Sequence, residues 1–240
     1  MPRCVEPEWL DELPPQDPRA IRSRHDLQRV NRWMQQMGIM QRALTGCCGQ
    51  RAPRALLELG AGDGTFMLRL ARRLAPHWKK IKVVLIDRQN IVSDETREGF
   101  KALGWKAETI TADVFDFLAQ ARYQAVDVIT ANLFLHHFKR EKLTQLLLQA
   151  ARITDLFVAC EPSRSALALA GSGLLWTIGC NAVSRHDAVV SVRAGFAGQE
   201  LSTLWPEQTN WRLREQTAGL FTHCFVAQRF GDSGEQRHEI

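Results

Sequence analysis

Residues 56–70 read Leu-Leu-Glu-Leu-Gly-Ala-Gly-Asp-Gly-Thr-Phe-Met-Leu-Arg-Leu: an apolar run, three alternating glycines, then apolar residues at helical spacing. Such a stretch folds as a strand, a tight turn and a helix, which is the junction of a strand–helix–strand protein with a parallel sheet. Gly60, Gly62 and Gly64 let the chain turn with φ > 0 and bring bare backbone against a ligand. The spacing is not that of a dinucleotide fingerprint, whose third glycine comes three residues after the second, because here only Asp63 separates Gly62 from Gly64. A phosphate-cradling loop would end in Gly-Lys-Ser/Thr, and this one does not. Glu58 before the turn and Asp63 within it make the junction acidic, which repels a pyrophosphate and favours a cationic, amine-bearing ligand.

The next strand-like runs also end in polar residues. Residues 82–86 lead into Asp87-Arg88, and residues 107–112 into Asp113-Val114-Phe115. Residues 125–131 lead into Asn132-Leu133-Phe134-Leu135-His136-His137-Phe138. A carboxylate after a strand can accept from two hydroxyls, although capping the following helix is its commoner duty. Glu58-Leu59-Gly60-Ala61-Gly62-Asp63-Gly64 resembles motif I of the class I S-adenosylmethionine-dependent methyltransferases, E-x-G-x-G-x-G, without departure. The resemblance extends over residues 56–229. It implies S-adenosylmethionine as cofactor and S-adenosylhomocysteine as product. Glu58, Gly60, Ala61, Gly62 and Gly64 would then line the cofactor, and Asp87, followed by Arg88, would hold the ribose hydroxyls. Asp113 would meet the adenine with Val114 packed beside the ring, and Asn132 and Leu133 would complete the set. Residues 24–31 and 191–193 look similar to bacterial secondary-metabolism methyltransferases, and residues 132–138 to small-molecule ones. Amino methyltransferases carry Asn/Asp-Pro-Pro-aromatic after the fourth strand. Asn132-Leu133-Phe134-Leu135 departs from that motif, which argues against methylation of exocyclic base amines.

Strands at 56–59, 82–86, 107–112, 126–131 and 156–160 alternate with helices at 64–75, 94–103, 115–121 and 140–153. A helix at 200–205 and a closing hairpin of 211–216 and 221–229 follow. The expectation is an α/β, Rossmann-like, seven-stranded and mostly parallel sheet with a C-terminal antiparallel hairpin. Residues 1–18, rich in proline and acids, are expected as a flexible arm, 19–50 as a helical lid, 51–230 as the methyltransferase domain and 231–240 as a flexible tail. Within the domain, residues 162–199 exceed what a connection after the fifth strand needs. Their apolar content, Leu167, Leu169, Leu174, Leu175, Trp176 and Ile178, suggests a cover walling a pocket for an apolar or aromatic acceptor; the alternative is an insertion that packs on the sheet edge.

A net charge of +5 and pI near 9.1 invite a nucleic-acid partner, but Arg19, Arg22, Arg24, Arg29 and Arg32 are interleaved with Asp26 and apolar residues, the pattern of a solvated helix face. Nucleic acid is therefore an unexpected partner, and a small-molecule acceptor the expected one. The cysteines show neither C-x-x-C nor Cys/His zinc spacing, so no metal is expected. No apolar stretch is long enough for a bilayer and no signal-type start is present, so a cytoplasmic protein without membrane contact is expected.

Methyl transfer from a sulfonium needs alignment, a dry pocket and, for a hydroxyl acceptor, a route for its proton. An imidazole suits that task. The candidates are His136 and His137 after the fourth strand and His186 in Arg185-His186-Asp187, a polar cluster that either orients a substrate or caps a helix and pairs internally. His223, in the closing hairpin, reads as a core or edge residue. The expected function is methylation of a small molecule, at a hydroxyl of a phenolic, quinone-like or polyketide-type metabolite. The alternatives are an RNA or protein methyltransferase and a non-catalytic cofactor-binding scaffold.

Overall fold

The computed structural model describes residues 1–49, 51–120, 125–206 and 208–230; the expected tail, 231–240, lies outside them. Seven strands form one sheet: β1 (Ala55–Leu59), β2 (Lys82–Asp87), β3 (Lys106–Thr111), β4 (Val126–Asn132), β5 (Thr154–Pro162), β6 (Trp211–Ala218) and β7 (Thr222–Arg229). Their order is β3-β2-β1-β4-β5-β7-β6, with β1 to β5 parallel and β7 inserted antiparallel between β5 and β6. This is the architecture expected from the alternation. The chain reverses direction across the sheet between β1 and β4, and the crevice beyond their carboxyl ends is where open α/β sheets bind ligands.

Alternation along the central strands sorts side chains into two cores. Leu57, Leu59, Val84, Ile86, Ile129, Phe157 and Phe225 belong to one face. There they pack with α6 (Val114–Ala119), α7 (Arg140–Ile153) and α10 (Glu200–Leu204), whose Phe117, Leu146 and Leu201 are buried. Leu56, Val83, Leu85, Val128 and Val158 belong to the other, with α3 (Gln36–Cys48), α4 (Thr65–Leu74) and α5 (Asp94–Ala102). Both faces are covered, so the inner strands read as continuous apolar runs. Ser93 caps α5 by accepting from Thr96 N at 3.1 Å.

The segments outside this core differ from their expected roles. The helical region 19–50 divides: Met40 and Leu44 of α3 are fully buried under the sheet, while α2 (Pro18–Trp33) lies above the carboxyl edge. Residues 1–18, expected as a loose arm, are anchored. Arg3 donates to the carbonyls of Ala194, Phe138 and His136 at 2.7, 3.0 and 3.2 Å, and Cys4 N donates to Arg193 O. Short helix α1 (Trp9–Glu12) rests on α9 (Ala182–Ala194). The cover contains α8 (Ala166–Gly173) and α9, yet Leu167, Leu174 and Trp176 face solvent instead of walling a pocket. The reason lies in α8, Ala-Leu-Ala-Leu-Ala-Gly-Ser-Gly, which has no polar face to turn outward. Its small residues make the close contact, with Gly171 so near Phe221 that an added Cβ would lie 2.9 Å from the ring, and the leucine side is left outside.

Candidate functional site

The glycine turn is pinned by its neighbours. Ala61 N donates to Ile86 O at 2.9 Å, Gly64 N to Ala61 O at 2.9 Å, and Gly62 N to Asp87 Oδ2 at 2.8 Å. The other Asp87 oxygen accepts from Gln89 N at 2.9 Å, so each oxygen keeps a lone pair for a further donor. Gly60 has φ +67°, and a Cβ there would lie 2.2 Å from the Phe134 ring, so only glycine lets β1 and the segment after β4 approach so closely. At Gly62 (φ +55°) nothing lies within 4 Å of such a Cβ, and this side of the turn is open.

Two buried oxygens beside the turn have no partner among the described residues: Glu58 Oε2 and Asn132 Oδ1. They flank the seam between β1 and β4, whose last paired residues are Leu59 and Ala131. Burial, reinforced by Asp63 and Asp87, pushes the Glu58 carboxyl well above the usual range. That environment favours its neutral form, and a cation placed beside it would favour the charged one. Beyond Asn132, Leu133 adopts φ 53°, a left-handed conformation rare for a branched residue, of the kind that clusters at functional sites. Asp113 caps α6, accepting from Phe115 N at 2.8 Å, with Val114 buried beside it. Arg88 is exposed.

The segment after β4 is held by Glu161 at the carboxyl end of β5. One Glu161 oxygen accepts from Phe134 N at 3.0 Å and Leu135 N at 2.9 Å, and the other pairs with His136 Nδ1 at 2.7 Å. His136 Nε2 faces Glu8 Oε1 at 3.2 Å, and Ser191 donates to that same Glu8 oxygen. Burial opposes charge on His136, but the hydrogen bonds to Glu161 and Glu8 outweigh it and raise the imidazolium to about 9. Burial likewise opposes charge on Glu8, yet His136, His137 and Ser191 together lower it to about 2. His136, expected among the proton acceptors, has both ring nitrogens engaged by carboxylates, an arrangement that favours its charged form. His137 Nδ1 lies 3.3 Å from Asp11 Oδ2 and is a quarter exposed.

His186 is placed otherwise than expected of a substrate-contacting group. Its ring stacks on Trp9 at 3.8 Å and 7°, and Nδ1 pairs with Asp187 Oδ1 at 2.9 Å. Asp187 in turn accepts from Trp9 N and Leu10 N at 2.9 and 3.0 Å, capping α1. The cluster takes the helix-capping alternative, because the arm occupies its polar face. His223 is buried in β7 and pairs with Glu215 Oε1 at 2.7 Å.

Helix α2 closes the site from above. Gln28 Nε2 reaches Thr65 Oγ1 at 3.2 Å and Asp63 Oδ2 at 3.4 Å, and Arg69 donates to Gln28 Oε1 at 2.7 Å. Buried Asp26 ties α2 to the cover, accepting from Asn181 N at 2.8 Å and Ser184 Oγ at 3.0 Å, with Ser23 and Ser184 hydroxyls 2.8 Å apart. Local sequence pattern gives Glu8, Asp26, Gln28 and Glu161 no role at this site. Glu161 carried a usable signal, being an acid at the end of an otherwise apolar strand, as Asp87 is. Partners more than a hundred residues apart gave none for Glu8 and Asp26.

Residues 56–155 match the family model described as a methyltransferase domain. No curated protein matches the sequence. Among solved structures, an O-methyltransferase family protein from Burkholderia thailandensis is 16% identical, TM-score 0.60, over 90% of this chain and 61% of that one. The plantazolicin methyltransferase solved with a desmethyl analogue and S-adenosylhomocysteine is 16% identical, TM-score 0.61, over 89% of this chain and 91% of its own. Magnesium protoporphyrin IX methyltransferase from Synechocystis, solved with S-adenosylmethionine, is 12% identical, TM-score 0.53, over 87% and 84%. The match over residues 56–155 is to a methyltransferase domain, and the fold of the chain is similar to that of these solved methyltransferases. Among the described residues no helix is long and apolar enough to cross a membrane.

Proposed function

We propose that this chain transfers the methyl group of S-adenosylmethionine to a small-molecule acceptor, at a hydroxyl of a phenolic, quinone-like or polyketide-type metabolite. The observation that carries the reading is the pair of partnerless buried oxygens, Glu58 Oε2 and Asn132 Oδ1, at the carboxyl ends of the neighbouring strands β1 and β4. Buried acceptors left unpaired cost stability unless a ligand donates to them, and the ammonium of an amino-acid-bearing cofactor is such a donor. Asp87 has lone pairs for two ribose hydroxyls beyond its bonds to Gly62 and Gln89, and Asp113 with Val114 suits the adenine end. Bound there, the cofactor supplies an electrophilic methyl group on a sulfonium.

This chain's contribution is alignment, exclusion of water and handling of one proton. Phe134, packed on Gly60, stiffens the seam between β1 and β4, and Glu161 fixes the backbone from Phe134 to His136. Helix α2 and the arm shield the edge from solvent. With His136 charged and His186 engaged by the arm, His137 is the remaining imidazole to receive the acceptor's proton. The small-molecule reading is supported by the plantazolicin and protoporphyrin enzymes among the structural neighbours and by the Asn132-Leu133-Phe134-Leu135 sequence. The test is a panel of phenolic and polyketide-type acceptors with methyl-labelled cofactor. Label in an acceptor together with S-adenosylhomocysteine is expected; label only in RNA or protein would overturn the acceptor class.

A further inference from the structure

Glu8, His136 and His137 bring one carboxylate and two imidazole nitrogens together, the ligand atoms all within 4.8 Å of one another. The two contacts of the His136 ring are unequal. The Nδ1 contact to Glu161, 2.7 Å, has the length of a charge-assisted hydrogen bond. The Nε2 contact to Glu8 is 3.2 Å, and His137 Nδ1 stands 3.3 Å from Asp11 Oδ2. Bonds of 2.0–2.1 Å to a tetrahedral zinc ion set neighbouring ligand atoms about 3.4 Å apart, close to the 3.2 Å between Glu8 Oε1 and His136 Nε2. A metal-bound histidine gives its other ring nitrogen to a carboxylate, which fixes the tautomer and the ring; Glu161 does this for His136. Two buried carboxylates, Glu8 and Glu161, face His136, and Asp11, half exposed next to His137, opens the cluster to solvent.

The geometry points to a divalent-cation site of the zinc class, with Glu8, His136 Nε2 and His137 Nδ1 as ligands, Glu161 as the orienting carboxylate and the remaining position open toward Asp11. Imidazole and carboxylate donors suit zinc and its neighbours in the transition series. The cation clamps the N-terminal arm onto the segment after β4. It also takes over the task given to His137 in the proposed reaction, because a ligated imidazole no longer accepts a proton, whereas a coordinated hydroxyl loses its own to solvent more readily. The inference therefore rests on that reading for the cation's chemical use but not for its binding.

The experiment is zinc titration of the untagged, chelator-treated full chain by competition with a chromogenic chelator, for the parent, His137→Ala and Glu8→Gln. One equivalent of zinc bound by the parent, weakened at least 100-fold in each folded variant, is expected. Cobalt(II) in place of zinc should give no thiolate charge-transfer band, which separates this site from the cysteines. Circular dichroism checks each variant, and if one fails to fold the other decides. Absence of stoichiometric binding, unchanged affinity in the variants, or a thiolate band would each overturn the site. Cofactor binding, measured in parallel on the zinc-free protein, keeps a failure here distinct from failure of the methyltransferase reading.

Discussion

The half of the carboxyl edge proposed for the cofactor and the half proposed for the acceptor are built in opposite ways. The first is local: Gly60 to Gly64, Asp87 and Asp113 sit at the ends of successive strands, and their bonds run to the next turn, as from Gly62 N to Asp87. The second is assembled from remote pieces, Glu8 on His136, Asp187 under Trp9, and Asp26 on Ser184. A half made of strand ends is rigid and keeps its shape when a ligand contact is removed. A half made of an arm, a helix and a cover owes its shape to those contacts, so the same kind of substitution should unsettle structure there and only affinity in the first.

The largest effect is expected from Glu161→Ala. It strips two backbone N–H groups and a buried imidazolium of their partner, and breaking a buried pair from one side costs about 3–5 kcal/mol. Urea denaturation should show that loss, and near-parent stability would erase the contrast. Asp87→Ala and Gly62→Arg should instead lower the unfolding free energy by only about 1–2 kcal/mol, from a half-exposed turn and a left-handed φ. Both should weaken cofactor binding by at least about 100-fold, or roughly 2.7 kcal/mol, read by calorimetry. Retained affinity in both would sink the cofactor assignment. Asp26→Ala leaves Asn181 N and Ser184 short of an acceptor, a loss of about 1–3 kcal/mol. It should appear as faster cofactor release in stopped-flow, since α2 is freed from the cover.

The smallest effect concerns pH in the zinc-free protein. His136 is raised from 6.5 to about 9, so its share of arm docking is complete below 6.5 and lost as pH rises through about 9. Glu8 is lowered from 4.5 to about 2, so its share is present above 4.5 and lost as pH falls toward about 2. Docking should be firmest between those limits. The fluorine resonance of Trp9 in fluorotryptophan-labelled protein, assigned through Trp9→Phe, should shift as pH passes 8 to 9. The absence of any shift between pH 8 and 9 would mean that Glu8 and Glu161 do not hold the proton.

The same contrast explains what could be read from sequence. Strand and helix alternation, the hairpin at 211–229 and the placing of Gly60 to Gly64, Asp87 and Asp113 at strand ends follow from local pattern, because a strand's end and the turn after it are neighbours in the chain. Asp113 shows the limit even there: what the structure shows of it is the cap to Phe115 N, and contact with an adenine remains part of the proposal. On the acceptor side, His136, His137 and His186 were legible as residues but not as roles, since Glu8, Glu161 and Trp9 decide those roles from far away. The arm looked loose because proline and acids signal exposure, whereas its acids find buried imidazole and its arginine finds three carbonyls.

The most direct test of the central claim is calorimetric titration with S-adenosylmethionine and S-adenosylhomocysteine in two buffers of different ionisation enthalpy. A neutral Glu58 beside the turn predicts micromolar binding with net proton release, as the cationic cofactor draws the carboxyl into its charged form. Absence of binding to either compound would contradict the account; binding without proton release would leave the cofactor in place but remove Glu58 from its site.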